Sequence, residues 1–199
     1  MLDVYSILSK FYLVGSPQWQ ILVEHSKAVA QLAANIVSLH PELNADANFV
    51  YEGAMLHDIG ITQTFAPSIY CFGTADYICH GTQGAQMLRA LQLPKHACVC
   101  ERHTGAGITA DEVRALQLPI PVADYTPQTI EEKIVCYADK FFSKTLKQPD
   151  NYSSHNDYSK LREQKSFERA LRSVAKYGNA PRERFLALHQ MLAVPQTMP

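Results

Sequence analysis

Six residues stand out for the chemistry their side chains can do: His25, His57, Asp58, His80, His103 and Asp139. Imidazole and carboxylate are the side chains that hold hard or borderline divalent metals. A bound metal lowers the pKa of its water and supplies a hydroxide near neutral pH. Each of the six also has an ordinary reading on its own. His25 falls in step with Leu22, Val29 and Leu32, where a core histidine satisfied by a backbone carbonyl would serve. His57-Asp58 closes the apolar segment AMLHDIG, where a helix C-terminus favours histidine and a turn favours aspartate. His80 precedes Gly81 at the mouth of a helix, and His103 ends a short one. Asp139 is harder to dismiss. Aspartate is a poor helix-interior residue, and burying its charge beside Ala138, Phe141 and Phe142 demands a partner. Taken together the ordinary readings weaken, because a helical bundle can bring distant side chains to one interior point.

The elements that would position these residues are helices. Apolar residues at helical spacing run from about Gln18 to Leu39, from about Ala47 to His57 and from Gly81 to Leu91. Pro94 opens a short helix reaching His103. Thr109 with Glu112, and Thr129 with Glu132, have the spacing of capping boxes. The second predicts a helix over Ile130 to Lys144 with Ile130, Ile134, Ala138 and Phe141 on one face. A helix of roughly Tyr158 to Tyr177 ends at Gly178, and a last one starts at Pro181 and fades near Pro195. No alternating strand competes, so the expected fold is an all-α, single-domain helical bundle over 1–199. Its motif-bearing core is about 19–144, followed by C-terminal helices at 157–194. Ile61 to Cys79 and Gly105 to Gln128 read as long connections.

Bulk properties narrow the function classes. A net charge of -1 argues against a broad basic surface for nucleic acid or anionic lipid. No basic n-region with an apolar run opens the sequence, and no segment has the length of a membrane span. The five cysteines, Cys71, Cys79, Cys98, Cys100 and Cys136, form no paired C-x-x-C framework, which favours reduced thiols. The expectation is a cytoplasmic protein with no nucleic-acid or membrane partner. His40, His96, His155 and His189 sit at helix ends or in polar settings and read as surface or structural residues.

The ordered set H…HD…D, filled by His25, His57-Asp58 and Asp139, resembles the HD superfamily of metal-dependent phosphohydrolases. His57-Asp58-Ile59-Gly60 is the literal HDIG tetrad of one subgroup. The resemblance covers roughly Trp19 to Lys144. It implies that His25, His57, Asp58 and Asp139 hold one divalent ion. It also implies that Asp58 bridges to a second ion held by His80 and His103. Zinc, manganese, iron and magnesium all suit such a set. His57 and Asp58 would then lie at the catalytic centre as ligands, not as free bases. The substrate implied is a small anionic phosphate mono- or diester, a class that includes nucleotides, which a net-positive dinuclear site would attract. Two departures stand out. The cyclic-dinucleotide phosphodiesterases of the superfamily carry a lysine soon after HD and a GYP motif, whereas here HDIG continues with Ile61 and ERHTGAGIT has no GYP.

Arg102, Lys140 and Lys144 are the candidate phosphate contacts, by position alone. Gly105 and Gly107 would let the backbone approach a substrate or simply shape a turn. Two other functions stay open. Some HD-fold proteins use the same six ligands for two irons and activate oxygen on a diol or phosphonate. A non-catalytic nucleotide sensor is the third reading, and it has no evident need for all six.

Overall fold

The computed structural model describes residues 1–145, 158–176 and 178–193. Its elements are helical apart from one small hairpin. A short α1 (Val4–Leu8), which carries no strong sequence signal, precedes the long α2 (Pro17–Leu39). Ser16 caps α2 by accepting from the Trp19 N–H, and Pro17 sits in the first turn, where its missing donor costs nothing. One stripe of α2 is buried, with Ile21, Leu22, Val29 and Ile36 fully inaccessible. It packs against α3 (Ala47–Leu56) and α7 (Ile130–Asp139). Helices α4 (His80–Ala90) and α5 (Pro94–Arg102) pack on each other; α4 also packs on a 3-10 turn, Ile59–Gln63, and α5 on α3 and α7. The chain is therefore all-α, as its periodicity predicts. No described helix is long and apolar enough to cross a membrane.

Several local expectations need correction. The connection Ile61 to Cys79 contains a two-stranded antiparallel hairpin, β1 (Phe65–Ala66) and β2 (Cys71–Phe72). Two residues per strand are too few to show alternation. The helix after Thr129 ends at Asp139, not Lys144, so Lys144 is free to fold back over the site. Thr129 accepts from the Glu132 N–H, but the Glu132 carboxylate accepts from Gln128 and Arg102, so the reciprocal half of that capping box is not made. The box at Thr109–Glu112 is complete and opens α6 (Ala110–Ala115). The helix expected over Tyr158 to Tyr177 is two pieces: a 3-10 turn, Tyr158–Arg162, and α8 (Phe167–Ala175), newly capped by Ser166. The last helix, α9 (Asn179–Leu192), lies as expected. Arg184 ties it to the middle of the chain, donating to the carbonyls of Ala106 and Gly107 and to Glu112.

Candidate metal centre

Five of the six residues sit where helices start or stop, or directly beside such an end. His57 is the C-terminal cap of α3 and Asp58 follows it outside the helix. His80 is the first residue of α4, His103 caps the C-terminus of α5, and Asp139 is the last residue of α7. Only His25 lies mid-helix, on the buried stripe of α2. Adjacent residues inside one helix do not share a face. The helix end lets His57 and Asp58 point to one place.

Gly60 explains how the turn after Asp58 comes so close to α4. A Cβ there would meet the His80 carbonyl oxygen at 2.1 Å and the Gly84 nitrogen at 2.3 Å. Gly84 needs the same clearance from the other side, since its Cβ would meet the Cys100 Sγ at 2.4 Å. Tyr12 pins this turn by donating its hydroxyl to the Ile59 carbonyl at 2.6 Å.

All six side chains are buried, and Asp58 stands at their centre. Its Oδ2 lies 3.2 Å from His25 Nε2 and 3.1 Å from His57 Nε2. Its Oδ1 lies 3.5 Å from His80 Nε2 and 3.4 Å from His103 Nε2. Asp139 Oδ1 completes the first group, 3.0 Å from His25 Nε2 and 3.5 Å from His57 Nε2. Two ligand groups thus share one carboxylate: His25, His57, Asp58 and Asp139, and Asp58, His80 and His103.

The donor chemistry fits divalent metals. His57, His80 and His103 each present Nδ1 to the carbonyl three residues back, at 2.6, 2.6 and 2.7 Å to Ala54, Tyr77 and Cys100. A carbonyl only accepts, so Nδ1 carries the hydrogen and Nε2 is left for a ligand. His80 Nε2 and His103 Nε2 stand 3.0 Å apart. Two lone pairs that close repel unless a cation lies beside both. Burial and the neighbouring His103 hold the His80 pKa down to about 3, so it is a neutral imidazole at neutral pH. Burial likewise lowers His103. Both oxygens of Asp58 and Nε2 of His57 are buried without a properly angled hydrogen bond among the described residues. A cation satisfies such atoms without needing a hydrogen at the correct angle.

The site also draws cations from its own chain. Lys144 Nζ lies 2.6 Å from Asp58 Oδ2 and 3.7 Å from Asp139 Oδ1, and Lys140 Nζ lies 2.6 Å from Asp139 Oδ2. Burial alone would raise the carboxyl pKa values. His57 and Lys144 outweigh it at Asp58, and Lys140 and Lys144 at Asp139, so both stay well below the ordinary range. Burial pulls His57 down, but Asp58 and then Asp139 hold it up at about 9. A metal at His57 Nε2 would therefore compete with a proton.

A cavity of about 180 Å³ opens beside this centre, lined in part by His80, His103, Asp139, Lys140 and Lys144. Of the three cations expected to meet phosphate, two are there. Arg102 is not: its Nη1 donates to both Glu132 oxygens at 3.0 and 3.1 Å, away from the cavity. Gly105 borders the cavity with φ +62° and nothing within 4 Å of a would-be Cβ. Gly107 (φ +85°) instead shapes a turn tight against Thr126. Sequence reasoning missed Tyr77, stacked on His80 at 4.7 Å, and Lys165, both in the cavity wall. Neither carries a pattern that could have marked it. Of the remaining histidines, His96 pairs with Glu52, His40 with Glu42, and His189 stacks on Phe167. His155 lies outside the described residues.

The HD domain family matches residues 22–143, more than half of the chain and all six residues of the centre. The chain belongs to the HD domain family. Its all-α architecture agrees with that family, and its two buried His/Asp groups could hold metal ions. It is also similar to two proteins named tRNA (cytidine(56)-2'-O)-methyltransferase. That of Thermoplasma volcanium is 37% identical over 142 residues, 71% of this chain and 37% of the relative. That of Picrophilus torridus is 37% identical over 142 residues, 68% of this chain and 37% of the relative. An uncharacterized protein of Methanocaldococcus jannaschii is 40% identical over 121 residues, 59% of this chain and 64% of the relative. The matched segment thus spans little more than a third of the two methyltransferases. No solved structure matches the chain.

Proposed function

We propose that this HD domain hydrolyses a phosphate mono- or diester, using water activated at a divalent-metal centre. The observation that carries the reading is the division of Asp58: one oxygen faces His25 and His57, the other His80 and His103. A carboxylate between two sets of buried imidazoles is suited to bridge two metals. His25, His57, Asp58 and Asp139 would hold the first, and Asp58, His80 and His103 the second. Bound divalent metals would lower the pKa of water and neutralise the phosphoryl oxygens as charge develops. Zinc, manganese, iron and magnesium are the candidates.

The protein's own groups have separable tasks. The backbone carbonyls of Ala54, Tyr77 and Cys100 keep three imidazoles in one tautomer and one orientation. Lys140 and Lys144 set positive charge in the cavity wall, where it would orient a phosphoryl group and steer an anionic substrate inward. The methyltransferase name belongs to relatives nearly three times as long as the matched segment. For this chain the ligand set favours hydrolysis, because six converging imidazoles and carboxylates have a direct use there. We place the protein in the cytoplasm, acting on a small phosphate-containing substrate and not on nucleic acid or membrane.

The test is elemental analysis of protein purified without chelator, joined to assays with p-nitrophenyl phosphate and its bis-ester in oxygen-free buffer. Turnover supported by manganese or zinc, lost in Asp58→Ala together with the metal, is the expected result. A tightly bound iron pair with no ester hydrolysis would transfer the site to oxygen chemistry. No metal uptake at all would leave a binding module.

A further inference from the structure

Beyond residue 143, where the family match ends, the chain returns to the site. Lys165, Ser173 and Val174 form a wall of the cavity whose other walls include His80, His103 and Asp139. Lys165 is anchored firmly. Its N–H donates to the Phe141 carbonyl at 2.8 Å. Its ammonium donates to the carbonyls of Phe142 at 2.7 Å and Lys140 at 3.4 Å.

The three cations of this cavity differ in one respect. Lys140 and Lys144 each have a carboxylate oxygen at 2.6 Å. Lys165 has no carboxylate within ion-pair distance among the described residues; its partners are neutral carbonyls. An ammonium has three donors, and these carbonyls occupy two. Burial lowers its pKa, and only Asp139 works against the positive charges of Lys140, Lys144 and Arg169 around it. A partly buried, preorganised cation without a counter-ion, facing a metal-binding cavity, is a place for an anion.

The size of the cavity narrows which anion. About 180 Å³ is well under the roughly 300 Å³ at which pockets for whole small molecules begin. It has room for a phosphoryl group and little of what the group is attached to. A monoester can leave its single alcohol outside, and its second negative charge gives Lys165 a partner. A diester must find room for groups on two sides. We propose that Lys165 anchors the substrate's terminal phosphate, and that this C-terminal wall selects phosphate monoesters over diesters.

This inference rests on the hydrolytic reading, but its central claim can be read without turnover. Inorganic phosphate is titrated by calorimetry into manganese-loaded wild type, Lys165→Gln and Lys165→Arg. The expected result is binding weakened about tenfold or more in Lys165→Gln and largely kept in Lys165→Arg, with equal metal content in all three. In the esterase assay KM for p-nitrophenyl phosphate should rise while kcat changes less, and the monoester should be preferred to the bis-ester. Ser173→Leu, on the same wall but outside the ammonium's hydrogen bonds, covers a folding defect in Lys165→Gln. It should narrow the cavity and raise KM for the monoester. Unchanged phosphate affinity in Lys165→Gln, or a preference for the diester, overturns the inference and leaves the hydrolase intact. Lys165-dependent phosphate binding without hydrolysis of either ester sinks the hydrolase reading and leaves the anion site.

Discussion

The helices α3 and α5 each carry two buried polar groups, and the two levels they define obey different rules. At the lower level Glu52 faces His96, with Oε2 3.0 Å from Nε2, and its Oε1 accepts the Leu2 N–H at 2.6 Å. Neither residue leaves a buried side-chain polar atom unpartnered. At the upper level, five residues on from Glu52 and seven on from His96, stand His57 and His103. There the ring nitrogens meet each other and one shared carboxylate, and the hydrogen-bond account does not close. Both levels are buried histidine beside carboxylate, so burial and residue type do not separate them. What separates them is whether every buried lone pair has a donor. A closed account is a structural pair; an open one, with lone pairs converging, calls for a cation.

The largest effect that should follow from this contrast belongs to Asp58. Asp58→Ala removes the carboxylate shared by both groups, so metal content should fall toward zero and turnover by a factor of about a thousand or more. Elemental analysis with the esterase assay reads both. His103→Ala should be more selective. It removes a ligand of one group only, so one equivalent of metal should remain with activity down about a hundredfold. Loss of both metals there would mean that the groups do not bind separately. Glu52→Ala should invert the pattern. It strands His96 Nε2 and the Leu2 N–H, costing about 1–3 kcal/mol in urea denaturation, with metal content unchanged. If metal were lost instead, the distinction between the two levels would fail.

The smallest effect lies at Glu112, a partly exposed residue clamped by Arg184. Glu112→Gln should cost under about 1 kcal/mol at neutral pH, because solvent screens the pair. Burial raises its carboxyl pKa, but the Thr109 N–H and Arg184 outweigh it and hold the value below the ordinary carboxylate range. A depressed folded pKa stabilises above the unfolded value and loses that contribution as pH falls through the folded one. The gap between wild type and variant should therefore close between about pH 5 and pH 3, as urea curves at both pH values would show.

Much of this was legible beforehand. Apolar spacing located α2, α3 and α4 within a few residues, because amphipathic stripes must face a core, and prolines at helix starts located α5 and α9. The elements that escaped were short or interrupted. Val4–Leu8 has too few turns to show a period, and Phe65–Ala66 with Cys71–Phe72 too few residues to alternate. Ser166 breaks the expected 158–177 helix by offering its hydroxyl to the Arg169 N–H, a local bond that outcompetes continuation. Arg102 was misplaced for a related reason. Its neighbour in sequence, His103, turns into the site, while its own side chain leaves on another face to meet Glu132.

The sequence by itself determined the residue types of the centre, their order and the helices that carry them, because residue identity and periodicity are local properties. It also determined Gly60, whose lack of a side chain allows the close contact with α4. Only the tertiary structure decided that His25 and Asp139, 114 positions apart, lie 3.0 Å from one another. It alone decided which oxygen of Asp58 serves which group, and that Lys165 arrives from beyond the family segment with no carboxylate at ion-pair distance among the described residues. Convergence of that kind depends on how helices pack, and packing is a sum over contacts that no spacing along the chain records.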